Sequence, residues 1–216
     1  MKKIASPLFQ DLSEAELDTL AAAGHLRTRQ FAKHEVIFRA GSCVREIGIV
    51  LRGSVHIENL DLWGTKSILS SAGAGQAFAE TYAFCGEALM VDAVAAEHCE
   101  ILFLHTAAFT DARIEPALQD KLLRRLLAVS MRKNLSLSQR IFCTTPKTVR
   151  GRLLTYFSAQ AARCGRMEFE VHFNRQQMAD YLNLDRSALS KELCKMRDEG
   201  LLEFDKNRFV LKQLPE

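Results

Sequence analysis

Residues 173–202 read FNRQQMADYLNLDRSALSKELCKMRDEGLL, the pattern of two short helices joined by a tight turn. Asn174 and Asp185 each precede a helical segment and can cap it, because a short side-chain oxygen accepts the free N–H groups of a first turn. Asn183 lies in the turn and tolerates left-handed backbone geometry. The stretch therefore predicts a helix-turn-helix, and the alternative is an ordinary solvated helix hairpin.

The second helix of this pair has two different faces. Leu189, Leu193 and Met196 recur at helical spacing and predict a buried apolar stripe. Polar donors occupy another face near the start of the helix: Arg186, Ser187, Ser190 and Lys191. A helix that is anchored on one side and carries donors on another suits insertion into the major groove of DNA.

The charge of the chain is distributed unevenly. Residues 1–111 carry 9 Lys/Arg and 14 Asp/Glu, residues 112–144 carry 7 and 2, and residues 145–216 carry 13 and 10. The helix pair lies in the basic part, as expected of a region that binds a polyanion. We predict three segments with these bounds: an effector-sensing domain, a long helix with a hinge, and a DNA-binding domain.

The composition argues against several classes of protein. The chain has 216 residues, 48% hydrophobic and 25% charged, which is typical of a globular protein. It contains no run of about 18 apolar residues for a membrane span. Its first residues lack the apolar region of a secretory signal, so we expect a cytoplasmic protein with no membrane partner. We find no nucleophile–base set, glycine-rich phosphate loop or metal-ligand spacing, and therefore predict neither an enzyme nor a metal site.

Glycines punctuate the N-terminal half of the chain. Gly41, Gly53, Gly64, Gly75 and Gly86 recur at intervals of 11 or 12 residues. Short apolar segments lie between and after them, at 47–51, 55–57, 67–69, 91–96 and 101–104. Turn residues at this spacing predict an antiparallel sandwich or barrel, and the alternative is coincidental spacing.

Residues from about 116 to 142 follow one helical pattern, with Pro116 suited to the first turn. A heptad-like seam runs along it through Leu123, Leu127, Ser130, Asn134, Leu137 and Ile141. The helix would be about 40 Å long, at 1.5 Å per residue. We predict that this seam joins two copies of the chain, and the alternative is that the helix packs only on its own domain.

A break follows the long helix at residues 144–146. We expect Thr145 to cap the next helix, over about 147–162, with Pro146 at its first position. A short strand near 168–171 precedes the helix pair, and a hairpin over 202–211 with its tip at 205–207 follows it. Helix-turn-helix followed by a β-hairpin is a winged arrangement.

The order of these segments resembles the CRP/FNR family of bacterial transcription regulators over essentially the whole chain. The resemblance is carried by residues 31–42 (FAKHEVIFRAGS), 47–57 (IGIVLRGSVHI), 75–80 (GQAFAE), 149–157 (VRGRLLTYF) and 176–193 (QQMADYLNLDRSALSKEL). It implies an α+β fold: an N-terminal antiparallel, jelly-roll-like β-roll, a long dimerisation helix and a C-terminal winged helix-turn-helix. It also implies a homodimer on palindromic double-stranded DNA, with RNA polymerase as a further candidate partner.

The resemblance assigns DNA-contacting roles to individual positions. The base-reading face of the family aligns with Arg186, Ser187, Ser190 and Lys191. Arg and Lys suit guanine, and Ser suits either base. Many members read cytosine with a glutamate where this chain has Ser187, so the usual half-site is in doubt. Expected phosphate contacts, which position the protein without specifying sequence, are Asn174, Arg175, Gln176, Lys206 and Arg208.

The resemblance also places an effector pocket at Ala79, Glu80, Met90, Val91, Leu137 and Ser138. Cyclic-nucleotide-binding members have glycine where this chain has Ala79, and an arginine that pairs with the phosphate near Met90. Leu137 replaces a threonine that meets the purine. Because a buried phosphate without a cation is strongly disfavoured, we predict that cAMP does not bind. The pocket accepts an apolar or aromatic effector, or its own side chains fill it.

The positions of the cysteines and histidines bear on three other sensing chemistries: an iron–sulfur cluster, haem and a reactive thiol. Oxygen-sensing relatives hold an iron–sulfur cluster on cysteines near the N-terminus, whereas the first cysteine here is Cys43, so no cluster is expected. Haem is a disfavoured alternative, with His98 and Cys99 as the ligands to test; His25, His34 and His56 are further histidines in this region. Cys85, beside Gly86, is a candidate for oxidation if its pKa is lowered.

These inferences predict an allosteric regulator. An effector at the contact of roll and helix would reposition the two winged domains through residues 144–146, so that the recognition helices lie about 34 Å apart, one DNA turn. Two alternatives stay open: a constitutive DNA binder with no effector, and a β-roll module that binds a ligand and acts through a protein partner. The sequence does not distinguish an activator from a repressor.

Overall fold

The computed structural model describes residues 4–60 and 66–212. Two compact units make up the chain, Met1–Arg132 and Lys133–Glu216, and the boundary between them falls inside the longest helix. The predicted fold class is confirmed: antiparallel strands form the N-terminal part, a long helix follows, and the C-terminal part is a winged helix-turn-helix.

The first unit is a roll of two antiparallel sheets. Its strands are β1 (Leu26–Phe31), β2 (Val36–Phe38), β3 (Glu46–Arg52), β4 (Ser54–Leu60), β5 (Lys66–Gly73), β6 (Ala77–Phe78), β7 (Asp92–Ala95) and β8 (Cys99–His105). One sheet has the order β1-β8-β3-β6 and the other β2-β7-β4-β5. Two helices accompany them, α1 (Glu14–Ala22) and α2 (Glu80–Cys85).

Strands β3 and β8 are buried on both faces. Ile47 and Ile49 of β3 pack into a cluster with α1, whereas Val50 joins a second cluster between the sheets with Phe31 and Phe103. Successive side chains of a strand point to opposite faces. A strand buried on both sides therefore reads as a continuous apolar run, as residues 47–51 and 101–104 do.

Glycine turns connect the strands as the spacing predicts. Gly41, Gly53, Gly75 and Gly86 have positive φ angles, while Gly64 lies outside the described residues. At Gly53, between β3 and β4, φ is +84° and an added Cβ would lie 2.6 Å from the carbonyl oxygen of His98. Only glycine fits this turn, because any Cβ there meets backbone.

The long helix, α3 (Pro116–Thr144), presents different faces to different surroundings. Leu118, Leu122 and Leu126 are buried in the cluster that holds α1. The predicted seam lies on another face, where Leu127 is 56% and Leu137 61% exposed. The helix therefore packs on the roll along one side and leaves an apolar stripe uncovered in the single chain.

The second unit surrounds one apolar cluster. Its elements are α4 (Val149–Cys164), β9 (Glu168–Glu170), α5 (Arg175–Leu182), α6 (Arg186–Asp198), β10 (Leu202–Asp205) and β11 (Arg208–Leu211). The strands pair in the order β10-β11-β9 and form the wing. Phe157, Phe169 and Phe209 meet at the centre, with ring centroids 4.6–6.3 Å apart.

The predicted start of α4 is wrong. Thr148, not Thr145, is the N-cap, and its hydroxyl accepts from the N–H of Gly151 at 3.0 Å. Thr145 instead donates its hydroxyl to the carbonyl of Ile141 at 2.8 Å, so it closes the end of α3. Because α3 runs to Thr144, the Thr145 hydroxyl comes within reach of the preceding helix, and Pro146 lies in the connection.

Candidate nucleic-acid interface

The caps of α5 and α6 define the geometry of the helix pair. The Asn174 side chain accepts from the N–H of Gln177 at 2.9 Å and forms a capping box with it. The Asp185 carboxylate accepts from the N–H groups of Ser187 and Ala188 at 2.8 and 3.0 Å. Between the helices Asn183 is left-handed, with φ +53°. Both caps and the turn residue lie where the sequence predicts them.

The two faces of α6 are segregated as the sequence predicts. Leu189, Leu193 and Met196 are buried in the core of the second unit. Arg186, Ser187 and Lys191 are exposed, and Ser190 is half-buried. The Ser187 hydroxyl donates to the Asp185 carboxylate, which lowers the pKa of that carboxyl together with the two backbone hydrogen bonds. The assignment of the polar residues to DNA bases remains a prediction.

A concave surface lies at the N-terminus of α5. Its lining comes from the first turn of α5, the first residue of α6 and the tip of the wing: Asn174, Arg175, Gln176, Arg186, Lys206 and Asn207. Three of these residues are cationic and none is acidic. A helix N-terminus also presents free N–H groups and a partial positive charge, so this concavity is suited to an anion.

Arg175 is the most constrained of these cations. Its Nη2 donates to the carbonyl of Lys206 at 2.8 Å, and the guanidinium lies 5.1 Å from the ring centroids of both Phe204 and Phe209. Its Nη1 is buried and has no hydrogen-bond partner among the described residues. Burial lowers the pKa of Arg175, but a guanidinium keeps its charge at neutral pH. The hydrogen bond and the two ring contacts therefore fix the positive charge of Arg175 beside the N-terminus of α5.

The remaining predicted phosphate contact lies apart from this concavity. Arg208 donates from Nε to the Glu168 carboxylate at 2.8 Å, across the β11–β9 pair. A phosphate would have to share Arg208 with this carboxylate or displace it. Gln176 lines the concavity but donates its amide to Asp180 at 2.8 Å. Asn207, which sequence reasoning placed only in the wing tip, lines the concavity as well.

Sequence reasoning missed the residues that hold α6 in place. Arg150 of α4 donates from Nε to Glu192 at 2.6 Å and from both Nη atoms to Glu199 at 2.7 and 2.9 Å. Arg152 donates from Nη1 to the carbonyls of Leu182 and Asn183, at 3.1 and 2.7 Å. The sequence assigned neither arginine a role of its own. No local signal in a sequence distinguishes a cation paired inside the protein from one that faces a ligand.

The predicted effector residues fall in both units. In the first unit, Ala79 is left-handed and precedes α2, Glu80 is buried, Met90 is 77% exposed and Val91 is half-buried. Leu137 and Ser138 are exposed on the part of α3 that belongs to the second unit. Their joint pocket remains a prediction.

The candidate metal and redox residues have ordinary surroundings. Cys99 is buried, and its thiol donates to the carbonyls of Ser54 and Glu97 at 3.0 and 3.2 Å. His25 shares a hydrogen bond of 2.7 Å with Asp111, and Cys85 is exposed. Within residues 4–60 and 66–212, no three His, Cys, Asp or Glu side chains are placed to hold a metal ion.

Comparison with known families matches two separate stretches of the chain, each to one domain type. The cyclic nucleotide-binding domain matches residues 28–113, and the Crp-like helix-turn-helix domain matches residues 151–216. No curated protein shows significant sequence similarity. In the described part of the chain, no helix has the length and apolar character needed to cross a membrane.

Solved structures with a similar fold cover nearly the whole chain. The Catabolite Activator Protein of Thermus thermophilus is 25% identical, with 96% of this chain and 94% of that chain covered and a TM-score of 0.50. FixK2 from Bradyrhizobium japonicum is 18% identical, with 87% and 93% covered and a TM-score of 0.51. A CprK variant complexed with OCPA is 13% identical, with 94% and 91% covered and a TM-score of 0.63. The last two show a common fold.

Proposed function

Because this chain belongs to the CRP/FNR family of transcription regulators, we propose that it is a homodimer that binds a palindromic DNA site under the control of an effector other than cAMP. The concave cationic surface at the start of α5 is the observation that carries the proposal. It joins Arg186, the first residue of the recognition helix, to four of the residues expected to grip phosphate. We place the protein in the cytoplasm, where it meets DNA.

On DNA, the two sets of contacts have different tasks. The N-terminus of α5, with Arg175 and the wing-tip Lys206, holds a backbone phosphate. This contact places α6 in the major groove, where Arg186 and Lys191 reach base edges. Ser190 and Ser187 lie on the same polar side, and Ser187 can accept a hydrogen bond from a base while its hydroxyl donates to Asp185.

The dimer is proposed on the exposed stripe of α3. The stripe recurs at heptad spacing, and its apolar members remain exposed in the single chain. Uncovered apolar residues on a helix of 29 residues favour a partner helix of the same kind. Two copies related by a two-fold axis would present two recognition helices to the two halves of a palindrome.

The effector is proposed to be something other than a cyclic nucleotide. The positions that the resemblance assigns to the cyclic phosphate carry Met90 and Val91, whose side chains contain no hydrogen-bond donor. Met90 also faces solvent. These residues do not fit a cyclic phosphate. Whatever ligand acts here must bind two arrangements of the dimer with different affinities, because otherwise no equilibrium shifts.

Salt dependence tests the phosphate contact. Arg175→Ala should weaken binding to every duplex and lower the slope of log K against log salt by about one, since one phosphate is no longer neutralised. Arg166→Ala removes the same charge from the exposed segment between α4 and β9 and should leave the slope unchanged. Equal slopes for the wild type and both variants would refute the phosphate assignment.

Sequence preference tests the base contact separately. Arg186→Ala should weaken binding at the preferred site by roughly 1–3 kcal/mol and relax the preference at one base position. Its effect on random duplexes should be small by comparison. Competition binding with single-base variants of the preferred site gives the measurement, and an undiminished preference in Arg186→Ala would remove this residue from the reading face.

A further inference from the structure

The second unit contains a cavity that the DNA-binding role does not use. It has a volume of about 260 Å³ and is formed by α3, α4, the segment after β9 and α5. Its lining is Ser136, Gln139, Tyr156, Gln160, Arg163, Glu170, Val171, His172, Phe173 and Tyr181. All of these residues belong to the same compact unit.

Aromatic rings form one part of the wall. The ring centroids of Tyr156 and Tyr181 are 5.6 Å apart, and those of Phe173 and Tyr181 are 5.1 Å apart, with tilted planes. Aromatic side chains at such distances prefer offset or edge-to-face contacts with another ring. The wall is therefore suited to a planar ring.

Two largely buried polar side chains, Tyr156 and Gln160, form another part of the wall. Tyr156 is only 3% exposed, and its hydroxyl makes no hydrogen bond to any described residue. Gln160 is 8% exposed; its Oε1 accepts from Arg163 at 2.8 Å, while its amide nitrogen donates to no described residue. Both side chains line the cavity, so the hydroxyl and the amide can donate to an anionic ligand that enters it.

The donors around the cavity favour an anion. Burial raises the pKa of both Tyr156 and Tyr181, so each hydroxyl keeps its proton at neutral pH and donates. Arg163 adds a guanidinium at the exposed edge. Glu170 is the one acidic lining residue in the described cavity, and it is exposed.

We propose that this cavity binds a small aromatic carboxylate, with its ring against Tyr181 and Phe173 and its carboxylate on Tyr156, Gln160 and Arg163. The volume lies below the range of roughly 300–1,000 Å³ typical of sites for drug-sized ligands, so a single-ring acid is the expected size. The site is separate from the residues that the family resemblance assigns to an effector.

The position of the cavity links such a ligand to DNA binding. Arg140 of α3 donates to the carbonyls of Asp180 and Tyr181, each at 3.0 Å, so α3 already holds the C-terminal end of α5. A ligand between Gln139 and Tyr181 would add to this contact. The opposite end of α5 carries Asn174 and Arg175, the proposed phosphate contacts. This coupling rests on the proposed function, whereas the ligand site itself does not.

Titration of the full-length protein with benzoate, without DNA, tests the site. Calorimetry and ligand-observed saturation-transfer NMR should show saturable binding. Two analogues serve as controls: cyclohexanecarboxylate keeps the charge and loses the aromatic ring, and benzamide keeps the ring and loses the charge. Each should bind at least about tenfold more weakly than benzoate. Absence of saturable benzoate binding overturns the proposal.

A conservative variant in the cavity and a matched control test where the ligand binds. Tyr156→Phe removes one hydroxyl and keeps the ring, and should weaken benzoate binding by about tenfold because a hydrogen bond to a charged group is lost. Tyr82→Phe makes the same change in α2 of the other unit and should have no effect. Unchanged affinity in Tyr156→Phe, with a melting temperature equal to that of the wild type, rules out this cavity as the site.

DNA affinity at saturating benzoate tests the coupling. It should change for the wild type and stay constant for Tyr156→Phe. Constant DNA affinity in the wild type overturns the coupling alone. If benzoate binds but no DNA site is ever found, the ligand site stands and the proposed function fails, so the two failures are distinguishable.

Discussion

At the scale of single residues, Ala79 is one of four described non-glycine residues with a positive φ angle. It has φ +61° and ψ +8° and stands just before α2, without a side-chain cap. For an L-residue with a Cβ, left-handed geometry is unfavourable by roughly 1–2 kcal/mol. The CRP/FNR resemblance expects glycine here, and the neighbouring Glu80 is buried. We infer that burial at the start of α2 holds Ala79 in this unfavourable left-handed conformation.

Ala79→Gly should raise the stability of the first unit. Relief of the left-handed strain outweighs the greater freedom of glycine in the unfolded chain, for a net gain of about 0.5–1 kcal/mol. Ala83→Gly, a buried position inside α2, should lower stability by about 1 kcal/mol. Thermal and urea unfolding of the three proteins give the measurement. A lower melting temperature for Ala79→Gly would contradict the strain argument.

Residue roles were predictable where local chemistry decides them. Asn174, Asp185 and Asn183 act within two or three positions of themselves, so a sequence window contains all the information. Thr145 was misassigned because its hydroxyl could cap α4 or bond back to α3. Since α3 extends to Thr144, the hydroxyl donates to the carbonyl of Ile141 instead. The partners of Arg150 lie 42 and 49 positions away, beyond what spacing can indicate.

At the scale of elements, the orientation of α6 depends on its attachment to α4. The fork of Arg150 to Glu192 and Glu199 joins the two helices. Hydrogen bonds from Arg150 lower the pKa of Glu199, so folding favours its deprotonated form. The resulting stabilisation is fully present above the unfolded-state pKa of about 4.3 and is lost as the pH falls through the folded-state value.

Arg150→Gln should remove this pH dependence. The difference in melting temperature between wild type and variant should be largest near neutral pH and should shrink as the pH falls through about 4.3 and below, where first the unfolded and then the folded carboxyl takes up a proton. Arg166→Gln changes the same charge without a carboxylate partner in the described structure and should show a constant difference. A pH-independent difference for Arg150→Gln would argue against the ion pair in solution.

The exposed stripe of α3 is the other element with a proposed role. Leu127→Asp places a charge at the centre of the seam and should convert the dimer to a monomer, because an unpaired charge is disfavoured in an apolar interface. Leu135→Asp makes the same change at a residue 70% exposed but outside the heptad positions, and should leave the dimer intact. Light scattering gives the mass of each. If Leu127→Asp remains a dimer, the proposed seam is not the dimer contact.

At the scale of the whole molecule, the sequence predicted the succession of β-roll, long helix and winged helix-turn-helix because each has its own periodicity. Strand β3 was recognisable as an apolar run between glycine turns, β8 as an apolar run after them, and α3 by its heptads. The charge counts located the basic part of the chain but not the cationic concavity at the N-terminus of α5. Arg140, Arg150, Arg152 and Arg208 bind partners inside the protein, whereas Arg175, Arg186 and Lys206 line the concavity.

The cavity beside Tyr156 also lay beyond prediction from sequence. Its residues are spread from position 136 to position 181, and each reads as ordinary helix or loop in its own segment. Only the packing of α3, α4 and α5 brings the rings and the unpaired donors to one wall. The proposed ligand site therefore lies in a unit where motif analysis indicates only the winged helix-turn-helix.

The central claim is a dimeric, sequence-specific DNA reader, and selection of bound duplexes from a random library tests it most directly. The full-length protein should enrich a palindrome whose half-sites lie about 34 Å apart, one DNA turn, and Arg186→Ala should enrich it less sharply. Selections with and without a small-molecule cell extract allow for an effector. If the recovered library matches that of an Arg175→Ala, Arg186→Ala double variant under both conditions, the protein is not a sequence-specific DNA reader.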